Sequence, residues 1–279
     1  MSILSAPELY QVDPFDTGNP PTLIHRIPGA TSLLSIVELQ QDVFYVIAGN
    51  VSIETLQAKN GSYSLWKVEM GSGDVVDGAM KPPAIVSKVT DIPEGVALNG
   101  MAVLNESRGL VVIGDAGAGR VFTVDVQTGK YSQSIEDPTM APTPSTQLGI
   151  NGMKIKGGYL YYTTSAQATF NRIPINSTDG SPAGPAEVLA RFFLADDFSF
   201  DPAGNAYVAQ NAVNTVAKVT PAGVVSIVAG NLDSTVVAGS TATQFGRMPN
   251  DRSVLYVTTT GGYLSPVALQ GGKVVAIET

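Results

Sequence analysis

"LNGMAVL" at residues 98–104 returns as "INGMKIK" at residues 150–156. In both places Asn-Gly-Met runs into alternating apolar residues, the pattern of a strand with one buried face. A phrase that comes back after roughly 50 residues is the mark of a repeat architecture, and a unit of four short strands at that interval is a propeller blade.

Reading outward from the phrase, each unit spells four strands. Residues 98–137 contain "LNGMAVL", "GLVVIGDAGAG", "RVFTVDVQTG" and "KYSQSIED". The unit ahead of it runs from "TSLLSIVEL" through "DVFYVIAGN" and "GSYSLWKVEM" to "AIVSKVTDIP", and two more follow the same plan. The last, from "TATQFGRMPND" to "GKVVAIET", has three strands. "QTGK", "DPAGN" and "TPAG" supply Gly or Asn where a tight turn needs positive φ. Across the chain 29 Gly and 18 Pro interrupt any long helical period. The expectation is an all-β, six-bladed β-propeller of four-stranded antiparallel blades in one domain, residues 1–279. Its first blade is incomplete at the N-terminus, where "ILSAPELYQVDP" and "PTLIHRIPGA" offer only two outer strands.

In a propeller the innermost strand of each blade starts at one rim and runs along the axis, so residues at those starts converge. Asn99 and Asn151 are then equivalent positions. The same reasoning adds Asp196, Asp197, Ser35, Gln244 and Phe245, and from the loops between second and third strands Asn50, Asp115, Ser165, Asn211 and Tyr263. Met101 and Met153 follow the two Asn residues, either as packing between blades or as pocket wall. Three long loops, 49–62, 136–149 and 260–272, favour a pocket at the loop-rich end. Trp66 reads as filler between blades.

Composition removes several classes of function. A net charge of −8 with no run of Lys or Arg argues against nucleic acid and anionic membranes. No segment has the roughly 20 apolar residues that span a bilayer, and the N-terminus lacks a basic, apolar leader. The chain as written reads as cytoplasmic. Four Asn-x-Ser/Thr sequons, at Asn50, Asn60, Asn105 and Asn176, leave secretion open should a signal segment precede it. With zero Cys and the single His25 on an outer strand, thiolate, Ser-His and Cys-His chemistries have no parts. Asp196 and Asp197 are neighbours, so in a strand they point apart and make a poor acid/base couple.

"DVFYVIAGN", "LNGMAVL", "LGINGMKI", "ADDFSFDPAGNAYVAQN", "NTVAKVTPAG" and "TATQFGR" together resemble the SMP-30/gluconolactonase-like six-bladed propellers, particularly their fungal branch. Lactonases of that family hold one calcium or zinc ion with a Glu, an Asn and an Asp, and a second Asn contacts substrate. The resemblance would make Asn151 and Asp196 metal ligands and Asn99 the substrate contact. The Glu is the difficulty, since the matching strand offers Ser35, with Glu38 further along. Fungal relatives also include secondary-metabolism hetero-Diels–Alderases. That resemblance implies a cyclase without a cofactor, joining a reactive quinone methide to a terpene alkene. Asn99, Asn151 and Asp196 would be its catalytic groups, Phe198, Phe245, Tyr162 and Tyr263 its apolar wall, and small apolar substrates its partners. A metal-dependent lactonase and a non-enzymatic small-molecule-binding propeller are the alternatives.

Overall fold

The computed structural model describes every residue except 17, 72–73, 77–78, 192–194, 266 and 268; these include two positions of loop 260–272. The protein is an all-β propeller whose helix, among the described residues, is confined to two three-residue 3-10 turns, Pro138–Met140 and Asn211–Val213. No helix is long and apolar enough to cross a membrane. Contacts divide the chain into two compact units, one of residues 1–136 with 176–181 and the other of residues 137–175 with 182–279.

In the first unit β1 (Glu8–Gln11) pairs with β2 (Thr22–Arg26) alone. Then β3 (Ser32–Gln40), β4 (Val43–Gly49) and β5 (Tyr63–Glu69) lead through a side hairpin, β6 (Asp74–Val76) with β7 (Ala79–Lys81), to β8 (Ile85–Ile92). These form a blade in the order β3-β4-β5-β8. A second blade follows from β9 (Leu98–Asn105), β10 (Leu110–Asp115), β11 (Arg120–Asp125) and β12 (Tyr131–Glu136). Adjacent residues of β4 serve opposite faces. Val46 and Ala48 join Leu9, Ile27 and Leu33 beneath the leading pair, while Tyr45 and Ile47 join Leu65, Met101 and Ile113 toward the second blade. A strand buried on both sides has no polar alternation, which is why "VFYVIAG" reads as one apolar run.

The second unit holds two further four-stranded blades and one of three. They are β13 (Ile150–Lys156), β14 (Tyr159–Thr164), β15 (Thr169–Pro174) and β16 (Glu187–Arg191); β17 (Ala195–Phe200), β18 (Ala206–Gln210), β19 (Thr215–Val219) and β20 (Val225–Gly230); and β21 (Ser240–Phe245), β22 (Val254–Thr259) and β23 (Val274–Glu278). Sheets of three or four strands number five among the described residues, not the six expected, and the leading segment forms the two-stranded β1–β2 pair.

The recurring phrase marks a β-bulge. Leu98 faces Asp115 and Met101 faces Ile113, so three steps on the inner strand match two on its neighbour. The same extra residue lies between Ile150 and Met153, Ala195 and Phe198, Ser240 and Ala242, and Leu33 and Ile36. A bulge leaves one residue out of the ladder and re-aims its side chain. In this register Asn99, Asn151, Asp196 and Thr241 are equivalent, and the matching residue of β3 is Leu34. Two expectations are corrected here. Ser35 sits one step past the position of Asn99, and Gln244 and Phe245 lie three or more steps beyond Thr241, because the register runs from the bulge and not from the apolar pattern. A second bulge recurs in the outer strands, at Val89, Ser134, Leu189 and Val228. There it bends each open edge and discourages edge-to-edge association.

Candidate functional site

Inner strands of successive blades run side by side, β13 next to β17 and β17 next to β21 in the second unit. That adjacency sets two bulges against each other. Gly152 approaches β17 so closely that a Cβ would stand 2.5 Å from Asp197 Cα. The Gly152 N–H donates to Thr163 Oγ1 at 2.9 Å, and that hydroxyl donates to the Asp196 carbonyl at 2.7 Å. Ser165 repeats the motif one turn of the pleat away: its Oγ accepts from Asn151 Nδ2 at 2.9 Å and donates to the Ala195 carbonyl at 2.7 Å. Hydroxyls of β14 and the loop after it thus satisfy backbone groups that the bulges withdraw from their ladders.

Asp196 is the centre of this arrangement. Its Oδ2 accepts from Asn211 Nδ2 at 3.4 Å, and the Asn151 amide also donates to its carboxyl. Burial pushes that carboxyl up from 3.8 to about 7, with the neighbouring Asp197 charge the next cause; the Asn211, Asp197 backbone and Asn151 donors oppose them. The residue keeps part of its surface open while the carboxyl itself is desolvated. Asp197 points away, clamped by Lys154 Nζ at 2.8 and 3.0 Å. One acid is thereby neutralised by an ammonium and the other is left poised near neutrality.

Of the other expected residues, Ser165 and Asn211 join Asn151 and Asp196. Met153 is fully buried below the bulge. Phe198 is enclosed by Phe170 and Phe200, with ring centroids at 4.9 and 5.4 Å in edge-to-face geometry, so its ring anchors β17 and offers no open wall. Tyr162 is likewise buried, and its hydroxyl meets Thr139 Oγ1 at 2.5 Å, tying loop 136–149 to β14. Phe245 packs edge-on against Tyr207 at 5.1 Å, and Gln244 is exposed at the far end of β21. Tyr263 is 41% exposed in loop 260–272, at the end of its blade where the inner strand begins.

In the first unit Asn99 is half-buried at its bulge and Met101 lies in the core. Asp115 is completely buried and accepts the Val96 and Ala97 N–H groups and Arg120 Nε, so it holds the turn before β9. Asn50 Oδ1 accepts the Thr31 N–H. Lys154, Thr163 and Thr241 were not expected in this role. Their signal in the sequence is position: Lys154 lies three residues after Asn151, and "TTS" closes β14 with hydroxyls where an apolar strand would end.

The donor set does not suit the ion that the family resemblance implies. Glu38 accepts the Asp42 N–H at the opposite end of β3, and Leu34 occupies the bulge position. Among the described residues no three His, Cys, Asp or Glu side chains gather. One carboxylate with neutral amides falls short of the six or more oxygens that a calcium ion takes. What the cluster can do is donate and accept hydrogen bonds around one partly desolvated point.

No protein-family model matches the chain. A Phoma sp. protein named "Putative hetero-Diels-Alderase" is 26% identical over 250 residues, spanning 81% of this chain and 69% of that protein. Solved structures similar to this chain include regucalcin, a calcium-binding protein of Agrobacterium tumefaciens, with TM-score 0.55, 16% identity, and coverage of 86% of this chain and 70% of that one. The PQQ-bound aldose sugar dehydrogenase of Streptomyces coelicolor gives TM-score 0.63 at 12% identity, covering 99% and 90% of the two chains. A luciferin-regenerating enzyme gives 0.58 at 15%, covering 100% and 93%. These likenesses establish the propeller fold.

Proposed function

We propose that the chain is a hetero-Diels–Alder cyclase of fungal secondary metabolism, acting on a reactive quinone methide and a terpene alkene at the loop-rich end of the second unit. The observation that carries the reading is the convergence of Asn151, Asn211 and Asp196 on one partly open point, and the relative named above supports it. The reaction exchanges two π bonds for one C–C and one C–O σ bond, with no leaving group, no redox change and no nucleophile supplied by the protein. As the bonds form, the heterodiene carbonyl oxygen gathers negative charge. The second amide N–H of Asn211 and the protonated carboxyl of Asp196 are donors for that oxygen, while Asn151, whose two N–H groups go to Ser165 and Asp196, holds the carboxyl in place; a donor fixed in advance has no reorganisation cost. Holding both partners in one orientation contributes up to roughly 7–11 kcal/mol more.

The test generates an o-quinone methide in solution with an electron-rich alkene, with and without protein. The expected result is a dihydropyran formed faster than background and enriched in one enantiomer. Asn211→Ala, at a half-buried position, is expected to slow it about 100-fold with an unchanged circular dichroism spectrum. Racemic product at the background rate would overturn the reading, as would a rate indifferent to both Asn211→Ala and Asn151→Ala.

A further inference from the structure

A second place in the molecule has the form of a binding site, and it lies in the first unit. The β1–β2 pair covers one face of the next blade in part. Leu9, Ile24 and Ile27 pack over Val46 and Val68, but the outer part of that face is left to a cavity of about 320 Å³. This is within the roughly 300–1,000 Å³ in which small molecules are held. Its floor is β5 and β8, where Ser64 faces Asp91 and Trp66 faces Lys88 across the ladder. Its walls are the turn at Pro28–Ala30 and the loop carrying Lys59, Asn60 and Ser62.

The floor is arranged in advance. Trp66 Nε1 donates to Ser64 Oγ at 2.8 Å, which fixes the plane of the indole. Lys88 Nζ lies over the ring, 5.5 Å from its centroid, and 2.8 Å from Asp91 Oδ1, so a donor and an acceptor sit together on the aromatic face. Facing them, the Lys59 ammonium and the Asn60 amide have no hydrogen-bond partner among the described residues. An aromatic face selects a ligand with a flat apolar side, whereas a rim alternating donors and acceptors selects several hydroxyls. We infer that this cavity binds a polyhydroxylated ring, a saccharide of pyranose size, with its C–H face on Trp66 and its hydroxyls on Asp91, Lys88 and Asn60. The inference is independent of the cyclase reading, whose residues all lie in the other unit.

Trp66 is the single tryptophan of the chain, so the intact protein carries its own reporter. Glucose, galactose, N-acetylglucosamine and glucuronate are titrated while its emission is followed, with glycerol as the acyclic control. Saturable change with at least one sugar and none with glycerol is expected. Asp91→Ala, at an exposed position, is expected to weaken binding about tenfold, and Asp196→Asn to leave it unaltered. Absence of a saturable response to every sugar, an equal response to glycerol, or full binding by Asp91→Ala would overturn the inference.

Discussion

Replacing Asp196 by Asn is expected to raise the melting temperature on the order of 10 °C above about pH 8 and to leave it nearly unchanged below about pH 4. The folded carboxyl titrates at about 7 against an ordinary value of 3.8. A folded state that holds its proton more tightly than the unfolded chain is favoured while both are protonated. It loses that advantage as pH rises from about 4, where the unfolded chain ionises, through about 7, where the folded one does. Above that window the ionised buried group costs about 4 kcal/mol as an upper bound. Asn has the same shape, keeps hydrogen bonds available to Asn151 and Asn211, and carries no charge at any pH. Thermal denaturation of both proteins across pH decides the matter. A gain of equal size in acid and in base would show that the charge is not the cause. If the cyclase reading holds, the stabilised variant also turns over more slowly, the usual exchange between a comfortable site and a working one.

Gly152→Ala is expected to destabilise the protein by about 3 kcal/mol or more, although it adds one methyl group. The new Cβ would lie 2.5 Å from Asp197 Cα, 2.5 Å from Asp197 Oδ1 and 3.0 Å from the Asp196 carbonyl oxygen. Two of those contacts are backbone, and the third belongs to a carboxylate already clamped by Lys154. Relief therefore requires β13 and β17 to separate, which would stretch the Thr163 bridge between them. Chemical denaturation measures the loss. Gly157→Ala is a control, since a Cβ there meets nothing within 4 Å and suffers only its left-handed backbone, φ 59°. A Gly152→Ala variant no less stable than that control would show that the two strands are not held in close apposition.

Strand content, the four-stranded units and the short first and last sheets were legible in the sequence, because period-two alternation and turn residues are local signals. The equivalence of Asn99, Asn151 and Asp196 was legible too, since identical or isosteric residues stood ahead of matching apolar runs. The matching residue in β3 was not. Leu34 and Ser35 differ by one step, and an unpaired residue in a ladder leaves no trace in hydrophobic spacing. The aromatic wall misled for another reason. Composition shows that Phe198 and Tyr162 are large and apolar, yet only packing shows that Phe170, Phe200 and Thr139 have already enclosed them. Conversely Trp66 read as filler, whereas it lines a cavity together with Ser64, Lys88, Asp91 and Asn60, polar neighbours that apolar spacing along a strand does not reveal.

The inner-strand bulge has a consequence for how such a protein changes over generations. A residue outside the ladder contributes little to pairing, so leucine, asparagine, aspartate and threonine all occupy that place in this one chain without disturbing the sheet around them. Single-codon substitutions there alter the reactive groups at a rim while the scaffold is inherited intact. Diversification of chemistry is thereby uncoupled from foldability, and lineages sharing the architecture are free to diverge in what they transform.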